Sequence, residues 1–362
     1  MENVILYIIV IFSVIGGVDK LLGNKLGLGE KFDEAFKGMG SLALSMIGII
    51  GLAPVISGLL EPGLQYLSKI TGADPSVFIS SILAVDLGGY ASSVELAQSQ
   101  EIAKFTGLIL GSTMGATISF TIPIAINLIS KEDFSHFAKG ILAGIITIPF
   151  GMLIGGMAMG IPLKVIWINL IPVIVLSALI VFGLFRNQEK TLSIFNILGK
   201  LIVIISIIGL LISMIDFVLG IKLLPNMIPF EEGIIIVGKI AVIVSGAYPL
   251  IYFISNKLEK TMNSMAKKLG VNEYSILGII TSLANNIPTM GIYNSMDEKG
   301  KVLNAAFMVS GAFAFGGQLG YISSISKDVV TPFLLAKLSA GILSIFVANL
   351  IMKIDKRDKV RQ

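Results

Sequence analysis

Residues 83–89 read Leu-Ala-Val-Asp-Leu-Gly-Gly, and residues 283–288 read Leu-Ala-Asn-Asn-Ile-Pro. Each stretch interrupts a long apolar segment near its centre, the first in 76–96 and the second in 274–293. Non-helical backbone is tolerated at membrane depth only where protein or a water-filled cavity surrounds it. The pair therefore predicts two broken helical segments of related structure.

The two stretches belong to a repeat that runs through the whole chain, with an offset of about 200 residues. Gly51-Leu52-Ala53-Pro54-Val55 returns as Gly246-Ala247-Tyr248-Pro249-Leu250, and Ala138-Lys139 returns as Ala336-Lys337. The matches keep their order and nearly constant spacing. A weak internal repeat in a hydrophobic chain is typical of secondary transporters.

Composition places the chain in the membrane. Hydrophobic residues make up 54% of it and charged residues 14%, and its mean hydropathy is +0.89, whereas an ordinary soluble domain is about 25% charged. Apolar segments of spanning length need roughly 20 residues. We count eleven candidates, at 4–18, 39–60, 76–96, 103–129, 137–160, 163–185, 194–219, 234–255, 274–293, 302–325 and 330–352. The sequence predicts an all-α polytopic membrane protein with 9–11 transmembrane segments.

The distribution of basic residues tests whether 76–96 and 274–293 cross. If all eleven segments cross, the 27 Lys and Arg residues divide almost evenly between the two sides. If these two are re-entrant, 20 lie on the side of the C-terminus and 7 on the other. Because cytoplasmic loops carry the excess of Lys and Arg, the re-entrant arrangement is favoured, with the N-terminus outside and the C-terminus cytoplasmic.

In that arrangement five crossings separate the starts of the two repeats, so the repeats are inverted. The predicted organisation is a first repeat over 1–162, a linking helix over 163–190, a second repeat over 191–352 and a basic cytoplasmic tail over 353–362. The alternative is eleven plain helices with a parallel repeat. Glycine-rich faces and the unpaired helix between the repeats leave room for a homodimer.

The broken segments predict the binding site, because substrates of inverted-repeat carriers lie where such segments meet near the midplane. Asp86 would lie opposite Asn285 and Asn286. An intramembrane carboxylate indicates a functional site by default, and Asp86 with two carboxamides suits a small molecule that carries an ammonium and a hydroxyl group. The alternative role for Asp86 is to cap a half-helix.

Other polar and aromatic residues are secondary candidates for the site. Ser112, Thr113 and Gln318 lie in equivalent stretches of the two repeats, although hydroxyl groups in such helices also bond back to their own backbone. Tyr90 could contact an ammonium through its ring or serve only in packing. Glu95 at the end of the first broken segment is either a gate residue or a solvated helix end. Tyr248, Phe313 and Phe315 are further aromatic candidates.

Several classes of function lack their signatures in this sequence. There is no cysteine, and we find no HExxH, GxSxG, phosphate-binding loop or cluster of metal ligands. We therefore expect no enzyme, no metal and no cofactor. The lysines lie in short loops between apolar segments, where they determine topology, so no nucleic-acid partner is expected.

Five motifs together resemble the ethanolamine-utilisation transporter family, EutH, in the same order over essentially the whole chain. They are Phe36-Lys37-Gly38-Met39-Gly40, Gly51-Leu52-Ala53-Pro54, the two stretches at 83–89 and 283–288, and Met296-Asp297-Glu298-Lys299-Gly300-Lys301-Val302. The resemblance implies a carrier of the bacterial inner membrane that admits ethanolamine for catabolism, with Asp86, Asn285 and Asn286 as functional positions.

One motif departs from the family pattern. Where the family shows an acidic residue followed by histidine, this chain has Gly317-Gln318, which puts in doubt any proton-coupling role there. Two alternatives to an ethanolamine facilitator stay open: an ion-coupled carrier of another small polar metabolite, such as an amino acid or a hydroxy acid, and a membrane-embedded enzyme or sensor.

Overall fold

The computed structural model describes residues 4–257 and 259–361, and every regular element within these ranges is a helix. The first half of the chain contains α1 (Val4–Leu21), α2 (Leu28–Lys37), α3 (Met39–Thr71), α4 (Pro75–Ser80), α5 (Tyr90–Leu96), α6 (Gln100–Leu128) and α7 (Phe134–Ala158). The second half contains α8 (Leu163–Arg186), α9 (Gln188–Leu219), α10 (Phe230–Lys257), α11 (Glu259–Leu269), α12 (Glu273–Ser282), α13 (Asn286–Gly291), α14 (Glu298–Ser310), α15 (Gly317–Ile325) and α16 (Val330–Arg361).

Eight helical stretches in the described residues are long and apolar enough to cross a bilayer. They are α1, α2 joined with α3, α6, α7, α8, α9, α10 and the apolar part of α16. The chain is therefore a multi-pass α-helical membrane protein. The predicted basic tail, 353–362, continues α16 as far as Arg361, and Gln362 lies outside the described residues.

The centre and the periphery of the molecule differ in composition and burial. Helix α6 lies at the centre, and its Leu108, Ile109 and Met114 are fully buried. Helices α8 and α9 lie at the periphery, where large apolar side chains such as Phe182 and Val203 are exposed. An apolar outer surface matches a lipid environment rather than water.

The first broken segment comprises α4, an irregular turn and α5. Within the turn Leu87 leaves helical geometry and Gly88 has φ of 85°, a conformation that favours glycine. The carboxylate of Asp74, before α4, accepts a hydrogen bond from the backbone N–H of Gln98, after α5, over 2.9 Å. The side chains of Ser80 and Ser93 also bond to each other between the two arms. The chain thus leaves this segment beside the point where it entered.

The second broken segment comprises α12 and α13 and closes in the same way. The backbone N–H of Asn272, before α12, donates to the carboxylate of Asp297, after α13, over 2.9 Å. The hydroxyl groups of Thr281 and Thr289 bond across the arms over 2.8 Å. Both breaks lie where the sequence predicted them.

Equivalent capping residues begin the two segments. The Asp74 carboxylate accepts from the backbone N–H of Ser76, and the Asn272 carboxamide oxygen accepts from that of Ser275. Such N-caps satisfy N–H groups that have no partner inside the helix. Each of the two residues lies directly before the first arm of its broken segment.

The apolar segment at 302–325 differs from the single span that the sequence suggested, because it is divided into α14 and α15. Phe313 between them has φ of 60°, and its N–H donates to the carbonyl of Ser282 over 2.9 Å. A Cβ on Gly316 would lie 1.9 Å from the carbonyl oxygen of Ala284. The bend is therefore held against the second broken segment, and only glycine permits the approach at residue 316.

Candidate functional site

A cavity of about 340 Å³ lies where the two broken segments meet. The first segment lines it with Ala84, Asp86 and Leu87, and the second lines it with Ala284, Asn285 and Ile287. The other polar side chains around it are Gln318, Tyr248, Ser41 and Ser45. Of the eight residues that the sequence predicted for the site, the structure brings three to this cavity: Asp86, Asn285 and Gln318.

Asp86 follows the break after α4. Ala84 is in extended conformation, and the irregular turn at Leu87 and Gly88 ends the short helical stretch that contains Asp86. The carboxylate borders the cavity, and within the described chain no cationic side chain contacts it directly. The charge of the buried Lys337 acts on it without contact. A carboxylate at membrane depth is costly without a direct partner, so this position is suited to a cation that enters the cavity.

Asn285 is the N-cap of α13 in the second broken segment. Its side-chain oxygen accepts a hydrogen bond from the backbone N–H of Ile287 over 2.9 Å. Because the oxygen is engaged in capping and the amide also bonds to the Tyr248 hydroxyl, one amide N–H is the group that Asn285 can offer to a ligand.

Gln318 lies on the first turn of α15, and its amide contacts a buried lysine. The ammonium of Lys337 on α16 donates to Gln318 Oε1 and to the carbonyl oxygen of Ser112, each over 2.6 Å. Lys337 is only 1% exposed. Lys337 is a further residue of the site that was not predicted. The signal for it is its place as the one charged residue inside the apolar run at 330–352.

Aromatic side chains form part of the cavity wall. Tyr248, Phe313 and Phe120 line it, and the rings of Phe120 and Phe313 meet edge to face at 5.7 Å. Phe120 was not anticipated. Tyr90 does not line the cavity but packs against Tyr321, with ring centroids 6.4 Å apart; Phe315 does not line it either.

Asn286 lies behind the cavity rather than on its surface. It is fully buried, and its amide nitrogen donates to Thr121 Oγ1 over 3.3 Å and to the carbonyl oxygen of Met308 over 3.2 Å. The residue thus connects the second broken segment to α6 and α14. Two adjacent asparagines therefore have different environments, one at the cavity and one in the protein interior.

The hydroxyl residues of α6 are also away from the cavity. Ser112 and Thr113 are buried and donate to the carbonyl oxygen of Ile109, one helical turn earlier. Ser112 contributes to the site through its carbonyl oxygen, which accepts from Lys337. Glu95, at the end of α5, is exposed and does not line the cavity.

A second cavity of about 260 Å³ adjoins the first, and both are bordered by Tyr248, Ala284 and Asn285. Lys31 and Glu34 of α2 line the second cavity as well. In the chain as described, no group of three or more His, Cys, Asp or Glu residues could hold a metal ion.

Comparison with known proteins identifies the family. The family model for "Ethanolamine utilisation protein, EutH" matches residues 1–351. The chain belongs to the EutH family. This EutH-family chain is 43% identical to the probable ethanolamine permease EutH of Listeria monocytogenes serotype 1/2a over 360 residues, which cover 98% of this chain and 96% of the relative.

Two further members of the comparison are similar to this chain over nearly their whole length. An uncharacterized protein of Bacillus subtilis, YxeR, is 40% identical over 342 residues, covering 94% of this chain and 92% of its own. The probable ethanolamine permease EutH of Salmonella typhimurium is 35% identical over 399 residues, covering 100% of this chain and 98% of its own. No solved structure matches the chain. The resemblance noted in the sequence is confirmed, and the family is one of permeases, not of enzymes.

Proposed function

We propose that this protein is a carrier or facilitator that imports ethanolamine, in its ammonium form, across the bacterial cytoplasmic membrane for catabolism. The observation that carries the proposal is the Asp86 carboxylate, which borders the cavity between the broken segments and, among the described residues, has no cationic side chain in direct contact. Asp86 would bind the ammonium group, and the carboxamides of Asn285 and Gln318 would bind the hydroxyl group. The names of the relatives supply the identity of the substrate.

The transport mechanism that we propose uses the two broken segments as re-entrant hairpins in inverted repeats. The contacts Asp74–Gln98 and Asn272–Asp297, which join the two ends of each segment, support the hairpins. The capping residues that match between repeats support the symmetry. In such carriers, one bundle moves against the other around a fixed site at the midplane.

The orientation that we propose places the N-terminus outside and the C-terminus in the cytoplasm. With both broken segments re-entrant, the basic loops before α2, after α6, after α8 and after α10 share the cytoplasmic side with the C-terminal tail. The second cavity, which contacts Lys31 and Glu34, would then lie towards the cytoplasm and would form the exit path.

A specific observation favours a second candidate substrate, a small amino acid. The oxygens of Asn285 and Gln318 are both engaged by protein donors, so the two amides offer N–H groups, which could bind a carboxylate as well as a hydroxyl oxygen. The Lys337 ammonium behind Gln318 also favours an anionic group at that end of the cavity.

Competition for binding separates the two candidates. Radiolabelled ethanolamine is bound to the purified protein in detergent and is displaced with unlabelled ethanolamine, glycine or lactate. The proposal predicts saturable binding that ethanolamine displaces and that lactate does not. Displacement by glycine at lower concentrations than ethanolamine would assign the site to an amino acid, and the absence of saturable binding would contradict the proposal.

A further inference from the structure

The contact between Lys337 and Gln318 determines which end of the Gln318 amide faces the cavity. A lysine ammonium has three donors and no acceptor, so it can bond only to the carbonyl oxygen of a carboxamide. The 2.6 Å contact between Lys337 Nζ and Gln318 Oε1 therefore fixes the orientation of an amide whose two ends are otherwise hard to distinguish. The carbonyl oxygen of Ser112 accepts a second hydrogen bond from Lys337 and holds the ammonium in place.

The amide nitrogen of Gln318 is the atom left for a ligand. Gln318 borders the cavity, and among the described residues no acceptor bonds to its Nε2. The Asn285 oxygen also accepts from the protein, at Ile287, but the Asn285 amide nitrogen already has an acceptor in the Tyr248 hydroxyl and keeps one N–H for a ligand. The cavity thus has one carboxylate, which accepts hydrogen bonds, and two amides, which donate them.

We propose that Gln318, positioned by Lys337, is the residue that recognises the hydroxyl group of the substrate by donating a hydrogen bond to its oxygen. This inference rests on the proposed function, and it explains how the protein would select ethanolamine among other small ammonium compounds. Asp86 would bind any small ammonium compound. Gln318 would select the compounds that also carry a hydrogen-bond acceptor at the end opposite the ammonium group. The protein then prefers an amino alcohol to an alkylamine, which lacks the acceptor, and to a diamine, whose second ammonium can only donate.

Lys337 strengthens this selection through its charge. The Lys337 ammonium is separated from the substrate hydroxyl by the Gln318 side chain alone. It is buried, so little water screens its charge. The charge polarises the Gln318 amide and makes its N–H groups better donors. It also repels a second positive charge at that end of the cavity. Lys337 acts through Gln318 and is a positioning residue.

The test compares the affinities of ethanolamine, ethylamine and ethylenediamine, each measured by displacement of radiolabelled ethanolamine. For the unaltered protein we expect ethanolamine to bind roughly tenfold more tightly than ethylamine, the effect of one well-placed hydrogen bond whose loss leaves a donor unsatisfied. In Gln318→Met, which preserves length without a donor, this preference should disappear while ethylamine still binds.

The variant Gln318→Glu should change which ligand the protein prefers, a result that is not expected if Gln318 serves only to stabilise the fold. One carboxylate oxygen can accept from Lys337, and the other then presents an acceptor to the cavity. We expect this variant to prefer ethylenediamine to ethanolamine. Lys337→Met should weaken the preference for the hydroxyl group, and Lys337→Arg should restore it in part, with Lys327→Met at an exposed position as the control.

The outcomes separate the inference from the proposed function. If the unaltered protein does not bind ethanolamine, the proposed function fails. If it binds ethanolamine, but Gln318→Met keeps the full preference over ethylamine, the proposed function stands and the role of Gln318 is overturned. If Lys337→Met does not fold, the two Gln318 variants still decide the question.

Discussion

The carboxylate of Asp74 accepts a hydrogen bond from the backbone N–H of Gln98 over 2.9 Å, which joins the two ends of the first broken segment. The backbone N–H of Asn272 and the carboxylate of Asp297 make the corresponding contact in the second broken segment. In the re-entrant arrangement that we propose, such a segment enters and leaves the membrane on one side, which is a testable statement about topology.

Cysteine accessibility tests that consequence, and the natural chain contains no cysteine that would interfere. Lys69→Cys lies before the first broken segment and Gln98→Cys lies after it, both at exposed positions. We expect a membrane-impermeant maleimide to label both in intact cells and not to label Lys190→Cys until the membrane is permeabilised. Labelling of only one of the first two positions would mean that the segment crosses the membrane.

An ion pair between the first and second halves of the chain should contribute to stability. Lys301 Nζ and Asp133 Oδ1 are 2.6 Å apart, and their side chains are 13% and 9% exposed. Removal of one partner leaves the other charge buried and unpaired. We expect Asp133→Asn and Lys301→Met each to lower the free energy of unfolding, and the double variant to show a coupling of about 1–3 kcal/mol.

The matched control for this double-mutant comparison is the pair Lys104–Asp328, which also connects the two halves of the chain but is more exposed, at 28% and 60%. Its coupling should be below about 1 kcal/mol. Both cycles can be measured by SDS titration of the protein in mixed micelles. Equal coupling energies for the two pairs would contradict the claim that burial makes the Lys301–Asp133 ion pair stronger.

Two adjacent glycines provide a test of the bend between α14 and α15. A Cβ on Gly316 would lie 1.9 Å from the carbonyl oxygen of Ala284, whereas a Cβ on Gly317 would meet no atom within 4 Å. Gly316→Ala should therefore destabilise the protein by about 1–3 kcal/mol or more, and Gly317→Ala should change stability by less than about 0.5 kcal/mol. The same SDS titration measures the stability of both variants. Equal stability would show that residue 316 does not approach the Ala284 carbonyl oxygen closely.

The sequence predicted the features that depend on local chemistry. Polar and helix-breaking residues inside apolar segments located both breaks, and the cost of a charge in the membrane singled out Asp86. Local chemistry could not decide which of Asn285 and Asn286 borders the cavity. That choice depends on α13 beginning at Asn286, so that Asn285 caps the helix while Asn286 is buried against α6.

Features that depend on contacts between distant residues were not predictable from the pattern. The division of 302–325 into two helices relies on the approach of Gly316 to Ala284. The role of Lys337 relies on the meeting of α16 with Gln318 and Ser112. A lysine in an apolar run signals a function, but the partner that it finds is determined by the tertiary structure.

The most direct test of the account is uptake of radiolabelled ethanolamine into proteoliposomes at mildly acidic pH by the unaltered protein, Asp86→Asn and Glu95→Gln. Loss of the charge that pairs with a desolvated ammonium costs about 2–5 kcal/mol, so saturable uptake by Asp86→Asn should fall more than about 30-fold. Glu95→Gln, at an exposed carboxylate away from the cavity, should transport normally. Undiminished uptake by a folded Asp86→Asn variant would contradict the assignment of the ammonium to Asp86.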